Sequence, residues 1–249
     1  MYKRQVIKSD TTHKITPNKL YELFLKTSFA MANQDWRHYL NGCLFEKTGS
    51  SINMVATDAH RLAIYKSNLE GEGDFTGIVP RKTVIELMKI LPKQEDEIEF
   101  YINSNNIVFM SKKFTFKSKL IDGNYPNYNQ VVPQGEGSKI TFNRKNMLDS
   151  LSRVSVLTSE KFKGVKLKTE SGVLDISAHN PDQESAEEKL DVKSAGNEFD
   201  IAFNVNYLKE VLGTIDEEEI SLISFGSDKS ALVESGDSNQ VLVLMPLLL

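Results

Sequence analysis

Two stretches of this 249-residue chain repeat the same order of short apolar runs, glycine and helix signal, and that repeat limits the folds open to it. Leu40-Asn41-Gly42-Cys43-Leu44-Phe45 is matched by Phe162-Lys163-Gly164-Val165-Lys166-Leu167. In each copy an alanine of the next strand, Ala56 or Ala178, follows the glycine at the same distance. Further along, Ile78 to Ile90 and Ile201 to Gly213 both read as a strand running into a helix, with nearly the same offset. A long unit present twice is a duplicated domain, whereas solenoids repeat short units many times.

The first copy reads in order as helix, strands, helix, strands. Pro17 to Ala32 has apolar residues at helical spacing behind a proline suited to a first turn. Leu40 to Phe45, Ile52 to Thr57 and Arg61 to Tyr65 are strand-length runs broken at Gly49-Ser50 and at the polar corner Thr57 to Arg61. Phe75 to Val79 is another strand, Pro80 to Leu91 an amphipathic helix stopped by Pro92. Strands at Glu97 to Ile102, Ile107 to Met110 and Phe114 to Lys119 complete the copy. The breaker-rich segment 131–138, VVPQGEGS, marks the boundary. The expected fold is α+β: two similar domains, 15–134 and 135–249, each with two helices on antiparallel sheets, after a connector at 1–14.

A single cysteine rules out a disulfide framework, and four scattered histidines argue against a structural metal; no cofactor is expected. The apolar run at 241–249 is too short to cross a bilayer and the start has no signal-peptide apolar region, so the expected compartment is the cytoplasm. Asp58 and His60 could form the base half of a nucleophilic site, but no nucleophile accompanies them: Cys43 lies in an apolar run, and no GxSxG turn is present. The plainer reading is that Asp58 caps backbone N–H groups of the corner while His60 and Arg61 line a surface. The third is a partner-binding rim. An enzyme is not expected.

The net charge of −4 is not that of a typical nucleic-acid binder. Its distribution says more. The expected helices carry Lys19, Glu22, Lys26; Arg81, Lys82, Glu86, Lys89; Arg144, Lys145, Asp149, Arg153; and Lys209, Glu210. They total +5, leaving −9 elsewhere. Helices gathered on one side would give a basic face suited to phosphates without base readout.

MANQDWRHYLNG, VATDAHRLA, VPRKTVIELMKIL, SKLIDGNYPNYNQVVP, TSEKFKGVKL, SAHNPDQESAEE and the terminal VLMPLLL, in this order, resemble the bacterial sliding clamps, the beta subunits of replicative DNA polymerase holoenzymes. The resemblance covers Ile15 to Leu249 and only the second and third of the family's three clamp domains. It implies a processivity factor that tethers the replicative polymerase to duplex DNA, with chains pairing as a homodimeric ring, helices lining the hole. The alternative is a peptide-binding module that cannot close the ring because the first domain is absent.

The resemblance also implies a pocket for short linear peptides of polymerases, the clamp loader and other replication or repair proteins. Its walls would be Leu40; Thr57, Ala59, His60, Arg61 and Leu62 of the corner; Pro126, Gln130 and Val131; Ser230; and Val243, Leu244, Met245, Pro246, Leu247 and Leu248 of the tail. Chain ends are usually polar, yet this one is apolar, so it should dock on protein: Val241 to Leu244 as a core strand, the last residues as an adaptable wall. Ala59 stands where the family has glycine, at a cost of about 1 kcal/mol if φ there is positive. Gln130 and Leu248 stand where it has arginines, which makes the pocket less cationic. The family's DNA contacts map onto Gln34, His38, Tyr39, Arg81 and Lys82, with Trp36 expected to pack inward and the helix starts to offer N–H groups to phosphate.

Overall fold

The computed structural model describes residues 11–158, 163–182, 184–195 and 200–247. Backbone contacts divide the chain into two units. The first takes the chain up to Ala56 and again from Ile64 to Tyr125; the second takes Thr57–Ala63 and everything from Pro126 on.

In the first unit, β1 (His13–Ile15) leads into α1 (Pro17–Leu25), then β2 (Gly42–Thr48), β3 (Ser51–Thr57), β4 (Arg61–Asn68), β5 (Phe75–Pro80), α2 (Arg81–Ile90), β6 (Ile98–Ile102), β7 (Asn106–Met110) and β8 (Thr115–Lys119), the end of β3 and the start of β4 within Thr57–Ala63 counting with the second unit. One layer runs β4-β3-β2-β5 and the other β1-β6-β7-β8. The two helices pack on each other, with Leu20, Leu23, Phe24, Val84 and Leu87 buried. Gly42 of the repeated motif is required by its neighbour, since a Cβ there would collide with the Val79 carbonyl of β5.

The second unit repeats this plan. It has β9 (Ser138–Asn143), α3 (Arg144–Val154), β10 (Gly164–Glu170), β11 (Val173–His179), β12 (Ser185–Asp191), β13 (Lys193–Ala195), β14 (Asp200–Asn204), α4 (Val205–Gly213), β15 (Glu219–Ser224), β16 (Ala231–Glu234) and β17 (Gln240–Leu244). Strand order β12-β11-β10-β14 reproduces β4-β3-β2-β5, and β9-β15-β16-β17 reproduces β1-β6-β7-β8, with β13 added beside β9. Every pairing with a stated register is antiparallel, from Leu167 opposite Ile176 to Leu222 opposite Ile140. The duplicated α+β plan read from the sequence is therefore the fold.

Two local expectations need correction. The first helix does not run to Ala32 but stops at Leu25, followed by a 3-10 turn at Ser28–Ala30. The Thr27 hydroxyl donates to the Leu23 carbonyl (2.7 Å) and Thr27 N to Phe24 O (3.2 Å), tightening the last turn until the chain leaves the helix. Lys26, counted as a charge on a solvent-facing helix, is only 7% exposed. The outward charge of α1 is then that of Lys19 and Glu22, and the basic character of the helices rests on α2 and α3.

Candidate functional site

The corner between β3 and β4 is built by its own side chains. The Thr57 hydroxyl donates to the Arg61 carbonyl (2.6 Å) and accepts from Ala59 N (3.1 Å). The Asp58 carboxylate accepts from His60 N (2.9 Å) and Arg61 N (3.0 Å), as its reading as a turn residue requires. This bonding pins Ala59 at φ +74°, in the left-handed region, so the condition for strain at the glycine-to-alanine position is met.

Arg61 does not decorate a surface. It is 7% exposed, its Nε on Asp58 (3.2 Å) and its Nη1 on Glu210 (2.6 Å), while the guanidinium carbon sits 4.5 Å from the Tyr207 ring centroid. The exposed His60 ring stacks on the same tyrosine, 5.8 Å between centroids and 22° between planes. Burial, with the Asp58 carboxylate next, raises the Tyr207 phenol above its ordinary pKa, Arg61 opposing and Glu210 adding. Tyr207 and Glu210 come from one stripe of α4, whose apolar Val205, Leu208, Val211 and Leu212 are buried and whose start is capped by Asn204. Sequence reasoning missed both residues. Their only local signal is polar residues three apart on a helix face, and nothing nearby says what that face meets.

The tail arrives at this corner. Val243 and Leu244 are buried in β17, opposite Leu232 and Ala231. Met245 N then donates to the His60 carbonyl (2.8 Å), and Leu247 N to Ala202 O (2.8 Å). Met245, Pro246 and Leu247 stay half-buried, and Leu248 lies outside the described residues. Ser230, just before Ala231, donates through its hydroxyl to the Val131 carbonyl (3.2 Å). That bond ties the Pro126–Val131 loop, with Pro126, Gln130 and Val131 exposed, to the strand beside the tail. Corner, tail, Ser230 and loop thus form a bonded chain within the second unit. Leu62 is buried beneath its corner, and Leu40, also buried, belongs to the first unit. The geometry offers an apolar rim with a stacked histidine and an arginine neutralised by Asp58 and Glu210, while Cys43 is fully buried and its thiol pushed up to about 12 by burial.

The other sequence-derived residues gather in the first unit. Gln34 is exposed at φ +59°, and His38 opens the 3-10 turn His38–Leu40, with Tyr39 half-buried. Asn41 links this loop to α2: its side chain bonds Asp35 at N (2.9 Å) and O (2.8 Å), and its carbonyl accepts from Arg81 N (2.9 Å). Arg81 Nη1 holds the Met31 carbonyl (3.2 Å), and Lys82 is exposed. Trp36, expected to pack inward, is 82% exposed, because the bonds of Asp35 and Asn41 turn the loop so that the indole points to solvent. Helix starts are not equally open either. Thr16, Asn143 and Asn204 cap α1, α3 and α4, whereas α2 begins after Pro80 with no side-chain cap.

Among the described residues no helix is long and apolar enough to cross a membrane, and no group of three or more metal-binding side chains comes together.

Comparison with known proteins supplies the family. Residues 14–127 match the model of the DNA polymerase III beta subunit central domain, and residues 129–248 that of its C-terminal domain. The beta sliding clamp of Pseudomonas aeruginosa is 40% identical over 236 residues, covering 94% of this chain and 64% of that protein. The beta sliding clamp of Escherichia coli K12 is 40% identical over 223 residues, covering 89% and 61%. The crystal structure of the P. aeruginosa DNA polymerase III subunit beta superposes with a TM-score of 0.95 at 38% identity, over 100% of this chain and 69% of that one. That of the Bartonella birtlesii clamp bound to griselimycin gives 0.94 at 30% identity, over 100% and 69%. The chain therefore belongs to the DNA polymerase III beta subunit family, of which it carries the central and C-terminal domains, and it spans about 64% of the length of the curated P. aeruginosa relative.

Proposed function

We propose that the chain serves as part of a sliding clamp, a non-enzymatic processivity factor that tethers the replicative polymerase to duplex DNA in the cytoplasm. Polymerase and clamp loader dock through short linear peptides on the surface made by the corner, the 126–131 loop, Ser230 and the tail. The observation that carries this reading is the Met245 N to His60 O bond (2.8 Å), which seats an apolar chain end beside an exposed, stacked histidine. Thioether and leucine side chains of a tail held by its backbone can repack around different apolar peptides. With Ala59, Gln130 and Leu248 in place of the family's residues, apolar anchors rather than acidic ones would dominate affinity. The domain limits 15–134 and 135–249 belong to this proposal.

For DNA, Gln34, His38, Tyr39, Arg81 and Lys82, with the uncapped start of α2, supply weak, sequence-independent phosphate contacts that permit sliding. Titrating a labelled QLxLF-type peptide tests the pocket: saturable binding lost in the His60→Ala, Met245→Ala double variant is expected. No saturable binding, or binding indifferent to that variant, would remove it.

That the corner, the 126–131 loop, Ser230 and the tail all lie in the second unit favours a second reading, a peptide-binding module that acts without ring closure. Retention on nicked circular DNA separates the two. A closed homodimeric ring stays on the circle until it is linearised, and a module washes off.

A further inference from the structure

The chain's single tryptophan is turned towards solvent. Trp36 is 82% exposed, yet the backbone carrying it is fastened on both sides. Asp35 is held by Asn41 from one side, and its carboxylate takes Arg37 N (2.8 Å), Nε (3.0 Å) and Nη2 (2.8 Å) from the other. The Arg37 guanidinium carbon lies 5.7 Å from the Trp36 ring centroid. An indole presented by a braced loop has little loop entropy left to lose on contact with a ligand.

The neighbours indicate what that ligand is. A membrane or an apolar protein surface would call for further apolar groups around the ring. The residues flanking it are Gln34, Asp35, Arg37 and His38, with the Arg37 charge met by the Asp35 carboxylate (2.8 Å), and Asn41 joins the loop to Arg81 at the uncapped start of α2. A flat π surface set among cationic and amide side chains is what stacks nucleobases while phosphates are held alongside. A duplex hides its base faces in its own stack, so the ring can take only an unpaired base.

We infer that Trp36 is a stacking platform for an unpaired base of single-stranded DNA, placed beside the duplex contacts of the same loop and helix start. The inference rests on the DNA-facing part of the proposed function and adds the strand type and the residue that reads it. Stacking tolerates any sequence, because every base has a π face.

Having one tryptophan makes the test direct, since emission reports Trp36 alone. The full chain is titrated at low salt with a dye-labelled oligothymidine and, separately, with a duplex of equal length, following tryptophan emission and dye anisotropy together. Oligothymidine should quench emission saturably, and the duplex should bind with little quenching. Trp36→Ala should weaken oligothymidine binding about tenfold, with Trp36→Phe in between, and leave duplex binding unaltered. Equal anisotropy titrations for the wild type and Trp36→Ala, with unchanged emission, would overturn the stacking role and leave the duplex surface standing. If neither DNA binds, the DNA-facing reading fails and the stacking inference with it. Quenching by phospholipid vesicles or by self-association, without quenching by oligothymidine, would give the indole another partner and also overturn the inference.

Discussion

Replacing Ala59 by glycine should stabilise the chain although it removes atoms. Ala59 sits at φ +74°, held there by the bonds of Thr57 and Asp58 around it. A residue with a Cβ pays about 1–2 kcal/mol for that conformation. Glycine relieves it but frees the unfolded chain, at about 0.4–1 kcal/mol. The Ala59 methyl is exposed, so its loss forfeits no packing, and every hydrogen bond of the corner uses atoms that remain. The net expectation is a gain of about 0.5–1 kcal/mol. Urea unfolding followed by far-UV circular dichroism should show the midpoint of the second unit's transition rising with its slope unchanged. Ala59→Val should fall below the wild type, since a β-branched side chain tolerates positive φ least. A glycine variant no more stable than the wild type would mean that the corner stores no strain and that the argument from φ is wrong.

Lys47 is 2% exposed and its ammonium is held by the carbonyls of Gly49, Gly71 and Gly73, so Lys47→Met should cost about 1–3 kcal/mol and speed amide exchange around residues 70–74. His13 is buried among Phe75 and Phe100, and burial, with the Lys47 charge second, lowers its pKa below the ordinary value. The unfolded chain then binds the proton more readily than the folded one. This contribution is intact above about pH 6.5 and is lost as pH falls below it, so His13→Phe should flatten the fall in thermal stability on acidification, measured as the difference from wild type. Tyr207→Ala removes the ring between His60 and Arg61 and should weaken peptide binding about three- to thirtyfold by fluorescence anisotropy, with an unchanged affinity contradicting its place in the site. Duplex binding should weaken steeply between low and physiological salt, and a salt-independent affinity would contradict phosphate-only contacts.

The duplicated plan was legible because it rests on periodicity and breakers, which are local. Gly42 and Gly164 mark equivalent strands, and the helix signals after Pro80 and Asn204 recur in place. The strain at Ala59 was legible as a condition, and the corner's own hydrogen bonds meet it. What could not be read depended on distant partners or on the direction a side chain takes. Arg61 is buried where α4, far along the chain, brings Tyr207 and Glu210 against it. Lys26 and Trp36 defeat composition-based expectation in opposite senses, a charge turned inward and an aromatic ring turned outward. The tail's apolar character told that it must dock, and the His60 carbonyl gives the place.

Amide chemical-shift mapping of the isotope-labelled chain during titration with a QLxLF-type peptide tests the account's central claim most directly. The account predicts saturable shifts centred on Thr57 to Leu62, Asn127 to Val131, Ser230, Met245 and Leu247, with Tyr207 following. Shifts centred elsewhere, or none that saturate, would contradict the claim that the corner and the tail together form the binding surface.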